Sequence, residues 1–131
     1  MAELTRLARH SDARGHLVSV GASAEVPFSI RRVFWIYGNT ARFTRAEHAS
    51  RGTTQMLVCV AGSCRATLDG PAVSGTALLD RPDASLLVPP MTWLVLTEFS
   101  PDCVLLVLTD TLYDPADTIS DLDHFRALAA P

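Results

Sequence analysis

The sequence predicts an all-β domain, a small jelly-roll barrel carrying one short C-terminal helix. Three observations predict it. Short apolar runs rich in β-branched and aromatic residues are separated by Gly, Pro, Asp and Ser clusters. The runs follow one another without intervening helical patterns, which points to a sandwich or jelly roll rather than alternating βα units. The chain has 131 residues, enough for one core, so residues 1–131 read as a single domain.

The elements follow in order. Candidate strands are HLVSVG (16–21), SIRRVFWIYG (29–38), TQMLVCVAGSCRATLDG (54–70), TALLD (76–80), ASLLVPP (84–90), TWLVLTEF (92–99) and DCVLLVLTD (102–110). The long run breaks at Gly62-Ser63, which reads as a turn or bulge between two strands. LDGPAVSG (68–75) reads as a hairpin tip. The end of the chain differs. Asp and Ser capping candidates precede an amphipathic pattern through Ile119, Leu122, Phe125 and Leu128, predicting one short helix packed on the barrel. No internal repeat, low-complexity tract or interdomain linker is visible.

Composition narrows the function. Hydrophobic residues make up 48% of the chain and mean hydropathy is +0.21, values that also fit an apolar surface buried in an oligomer. No apolar run approaches the roughly 18 residues that span a bilayer, and no signal-peptide core is seen, so the expected location is the cytoplasm, with no membrane partner. A net charge of −3 carries no nucleic-acid footprint. All 11 basic residues are arginine. Arg14, Arg32 and Arg45 lie in the N-terminal third, and the guanidinium fork suits a small anionic ligand. The three cysteines, Cys59, Cys64 and Cys103, are odd in number and lack metal-type spacing, which argues against a disulfide framework or a zinc site. Cys59 and Cys103 read as buried thiols.

The polar stretch RAEHAS (45–50) interrupts the apolar pattern. A His-x-His strand with a nearby carboxylate and a later histidine is a metal-binding arrangement. Here the second histidine position is Ser50, no carboxylate follows in Arg51–Gln55, and PPMTWLVL offers no histidine. No metal is therefore expected. No Gly-x-Ser-x-Gly elbow is present. His10 and His124 read as surface residues, while His16 remains open as a cavity residue. His48 is the candidate general base, since a near-neutral pKa suits proton abstraction beside a ketone. Phe34, Trp35, Tyr37 and Trp93 fit core packing and cavity lining equally well. Trp35 and Trp93 are retained as substrate-binding candidates, although Phe34 and Trp35 face opposite sides of a strand.

The segments DARGHLVSV, VPFSIRRVFWIY, RAEHAS, QMLVCVAGSCRATLD, VPPMTW and FSPDCVLLVLTDTLYDPADTISDLDHF run in order from Asp12 to Phe125. Together they resemble the cupin-fold nucleotide-sugar 3,4-ketoisomerases, which act on dTDP-4-keto-6-deoxyglucose. The resemblance implies a cupin jelly roll and a homodimer with exchanged N-terminal strands. It also implies catalysis without metal or other cofactor. A histidine base removes the C3 proton beside the C4 ketone, and the enediol is reprotonated at C4. Carried over, the base is His48, Arg14 lies near the sugar, Arg32 near the nucleotide, and Arg45 and Gln55 flank the cavity. Three positions depart from the family pattern: its second histidine is Ser50, its polar residue after the tryptophan is Leu94, and its tyrosine pair is Phe34-Trp35. The resemblance thus implies an isomerase of a dTDP-linked keto-deoxysugar, with Ser50 replacing the second relay. Two alternatives stay open. One is a repurposed cupin enzyme acting on another small molecule in secondary metabolism. The other is a non-catalytic accessory protein that binds a nucleotide sugar.

Overall fold

The computed structural model describes residues 2–131, which form twelve strands, one 3-10 turn and one α-helix. The strands are β1 (Thr5–Arg6), β2 (His10–Asp12), β3 (Gly15–Leu17), β4 (Arg32–Tyr37), β5 (Arg45–Ser50) and β6 (Gln55–Ala61). After them come β7 (Cys64–Asp69), β8 (Ser74–Leu79), β9 (Ala84–Val88), β10 (Trp93–Thr97), β11 (Val104–Thr109) and β12 (Thr118–Ile119). The 3-10 turn spans Pro115–Asp117 and α1 spans Leu122–Ala129. Two five-stranded antiparallel sheets face each other, in the orders β1-β9-β6-β11-β4 and β12-β5-β10-β7-β8. This is the predicted all-β cupin-type jelly roll with its single short helix.

Alternation explains the core. On β7, Cys64, Ala66 and Leu68 point inward and are buried, while the alternate residues are half-buried (Arg65) or exposed (Thr67 and Asp69). Inner residues of both sheets, including Leu57, Leu68, Leu86, Leu94, Leu96, Phe99 and Leu105, form one cluster. The predicted turns hold. Gly62 takes φ +64 between β6 and β7, and β7–β8 is a hairpin from Asp69 to Ser74.

Two expectations are corrected. Of the first predicted strand, 16–21, only His16 and Leu17 are strand, within β3, which pairs with β2 in a separate two-stranded hairpin. Val18 and Val20 instead strap over a second cluster of Leu7, Val26, Met56, Val58 and Leu108, so packing outweighs their β propensity. The helical pattern also starts later than predicted. Ile119 pairs with Ala49 in β12, and the helix begins after Asp121, whose Oδ1 accepts the His124 N–H at 2.9 Å. Phe125 is buried against Trp93, with ring centroids 5.7 Å apart. No helix among the described residues is long and apolar enough to cross a membrane.

Candidate active site

A cavity of about 480 Å³ opens between the sheets. Strands β4, β5, β6, β10 and β11 line it, and the tail after β11 forms one wall. Its size suits a small-molecule ligand.

β5 supplies its polar centre. Residues three apart on a regular strand face opposite ways, yet Arg45 and His48 both line the cavity. The ladder with β10 shows why. Arg45 pairs with Leu96, Ala46 with Val95, and His48 with Leu94, so Glu47 is an extra residue in a bulge. Ala46 and Glu47 occupy the left-handed region at φ 67 and 57, which costs about 1–3 kcal/mol for each such non-glycine residue. The bulge thereby sets an arginine and a histidine on one wall. Ser50 follows His48 on the same face.

His48 is part-buried, and desolvation holds its imidazolium pKa below the ordinary value. It is therefore neutral, and basic, at neutral pH. Leu94, buried, lies directly across the ladder from it. Beside them is an annex of about 10 Å³ lined by His48, Ser50, Thr53, Gln55, Thr92 and Leu94, together with Val88 and Pro89. Thr92 is one of the lining residues, and its buried hydroxyl has no hydrogen-bond partner among the described residues. The annex has polar walls and about the volume of one water.

Arg32 on β4 is held flat. Its guanidinium carbon lies 4.5 Å from the Phe34 ring centroid and 5.2 Å from that of Tyr113. Stacking on two rings fixes the plane and leaves the N–H edge for an anion. Arg45 donates through Nε to Asn39 Oδ1 at 2.8 Å. The tail is clasped to the β5–β6 loop through Asp117. Its carboxylate accepts the Gly52 N–H at 2.7 Å and the Thr53 hydroxyl at 2.5 Å, and its carbonyl accepts the Arg51 N–H at 2.8 Å. Thr53 and Thr111 hydroxyls lie 2.7 Å apart.

His48, Ser50, Arg32, Arg45 and Gln55 thus line one cavity. Trp35 borders the cavity but belongs to the outward series of β4 and is 60% exposed. Two candidates lie outside this chain's cavity. Trp93 sits on the other face of β10, packed on Phe125 beneath α1, because alternation turns Leu94 inward instead. Arg14 is exposed on the β2–β3 hairpin, paired with Asp12 at 2.5 Å, and does not line this chain's cavity. His16 likewise lies outside, 2.7 Å from the Ser11 hydroxyl. Sequence reasoning passed over Tyr113, Asp117 and Thr92. The tail pattern contained the first two, but nothing local shows that this tail folds back over the barrel.

The family described as "FdtA: WxcM-like, C-terminal" matches residues 1–130. The TDP-4-oxo-6-deoxy-alpha-D-glucose-3,4-oxoisomerase of Aneurinibacillus thermoaerophilus is 39% identical over 119 residues, covering 91% of this chain and 86% of that protein. Among solved structures, the sugar 3,4-ketoisomerase QdtA of Thermoanaerobacterium thermosaccharolyticum, in complex with TDP, superposes with a TM-score of 0.92 at 30% identity. That match covers 98% of this chain and 93% of the other. A 3,4-ketoisomerase from Helicobacter canadensis gives 0.94 at 28% identity, with 99% and 98% covered.

Proposed function

The chain belongs to the FdtA, WxcM-like C-terminal family, and from that premise we propose that it moves the keto group between C4 and C3 of a dTDP-linked keto-deoxysugar, with His48 as the base. The observation that carries this reading is a neutral, part-buried histidine on the wall of a cavity that also holds a stacked arginine. The oxoisomerase relative acts on a TDP-4-keto sugar, and QdtA binds TDP.

The chemistry follows from the substrate. A C–H beside a ketone is acidic because the resulting anion delocalises onto oxygen. His48 Nε2 or Nδ1 takes the C3 proton. O4 takes up a proton as the enediol forms; C4 is then protonated and O3 gives up its proton, leaving the ketone at C3 and a hydroxyl at C4. The route draws on no metal or organic cofactor. Arg32 holds the nucleotide end, and Gln55 and Arg45 face the sugar and its developing charge. Serine is no base near neutral pH. Ser50 therefore acts through a water in the annex it shares with His48 and Thr92, and that water replaces the second histidine of the family as relay.

The same reading makes the protein a cytoplasmic homodimer with exchanged N-terminal strands. Three features support it. The β2–β3 hairpin pairs with no other strand, and all its residues are exposed. Edge strand β4 leaves Val33, Trp35 and Tyr37 uncovered. Arg14, absent from its own cavity, stands on the hairpin available to a partner's.

A proton NMR time course in deuterated water with dTDP-4-keto-6-deoxyglucose tests the reading. Deuterium is expected at C3 with growth of a 3-keto product. His48→Asn is expected to remove both while leaving the circular dichroism spectrum unchanged. Full turnover in that variant overturns the assignment of the base, and neither exchange nor product in the wild type overturns the activity.

A further inference from the structure

Away from the cavity, the fold brings three thiols together. The inward series on β6 is Gln55, Leu57, Cys59, so Cys59 sits at the opposite end of the strand from the site. Cys64 opens β7 just past the Gly62-Ser63 turn, and Cys103 stands immediately before β11. All three are buried, and their sulfurs lie within 4.8 Å of one another. The Cys59 and Cys103 sulfurs are 3.7 Å apart. Sequence spacing concealed this. The turn and the β6–β11 ladder join residues that are 44 positions apart.

We propose that Cys59, Cys64 and Cys103 form a three-sulfur site for a thiophilic d10 metal ion, Zn(II) or Cu(I). Bonds of about 2.3 Å put the sulfurs of a tetrahedral ion about 3.8 Å apart, and those of a trigonal ion about 4 Å apart. The observed spacing needs little adjustment to reach either. Soft thiolates select these ions. The carbonyl oxygens of Ala61 and Gly62 lie 3.2 and 3.5 Å from Cys59 Sγ and offer zinc a fourth donor.

Binding forms three metal–sulfur bonds and releases the thiol protons to solvent, with no change of oxidation state. Zinc leaves one net negative charge in the site and cuprous copper two, so zinc is the less costly occupant of a buried site. The ion would tie the Gly62 turn to the segment entering β11.

The test loads reduced, full-length protein separately with Zn(II) and, without oxygen, Cu(I), then dialyses it against a weak chelator and measures retained metal. One ion per chain is expected from at least one of the two. Retention is expected to fall about tenfold or more in Cys59→Ala and Cys103→Ala. Should those variants fail to fold, Co(II) in the wild type decides, and a sulfur-to-cobalt charge-transfer band is expected. Ketoisomerase turnover is expected to be the same with and without metal, which separates this site from the cavity chemistry. Retention of neither ion, equal retention by folded variants, or a cobalt spectrum without a sulfur band overturns the proposal.

Discussion

His48 carries most at the scale of single residues. Its lowered pKa has a definite sign. The folded state resists the proton that the unfolded chain accepts near pH 6.5. Stability is therefore full above that value and declines as pH falls from it toward the folded pKa. Urea denaturation midpoints at pH 7.5 and 5.5 should show the loss, and His48→Gln should reduce it. The acid limb of kcat/KM should be shifted below the ordinary histidine value for the same reason. Ser50→Ala tests the relay separately. C3 exchange should persist while product formation falls, by about 10-fold to 100-fold for loss of one positioned proton-transfer partner. Arg32→Lys keeps the charge but loses the flat stack on Phe34 and Tyr113, so TDP should bind about tenfold more weakly by calorimetry. These residues were legible because polar groups stand out in an apolar strand. Trp93 was not, since an aromatic in a strand is inward or outward only by register, and register is settled by the partner strands.

Elements show where local pattern is enough and where it is not. The strand runs and the Gly62 turn were readable from alternation and punctuation. Gly62 also meets a demand of its own place. A Cβ there would collide with Ser100 Oγ and lie 2.8 Å from the Cys103 N, at φ +64. Gly62→Ala should therefore destabilise the fold by about 2 kcal/mol or more, seen as a drop in denaturation midpoint. The tail was legible as a helix but not as a wall. Its docking depends on Asp117 meeting Gly52 and Thr53, contacts 64 and 65 residues apart. Asp117→Ala should cost about 1–3 kcal/mol of stability. It should also raise KM more than it lowers kcat, because it frees a wall without touching the base.

At the scale of the whole molecule, two main sheets hold the polar site at one end of their shared core and the thiols farther along the same interior face of β6. Overall architecture was legible because seven apolar runs with turn signals admit few arrangements. The β2–β3 hairpin was not: His16 and Leu17 read as strand, but β2, three polar residues, did not, so their pairing apart from the two main sheets stayed hidden. At this scale the expected dimer should appear at twice the chain mass in sedimentation. The bulge in β5 has a consequence for how such a chain tolerates change in length. Losing one residue from a strand ordinarily turns every side chain on one side of the gap to the wrong face. At Glu47 it turns none. Arg45 would still oppose Leu96, Ala46 Val95 and His48 Leu94, now in an unbroken ladder. A strand on the cavity wall thus contains a position where a deletion should leave the register unchanged, so sequences differing there by one residue should share the same cavity wall.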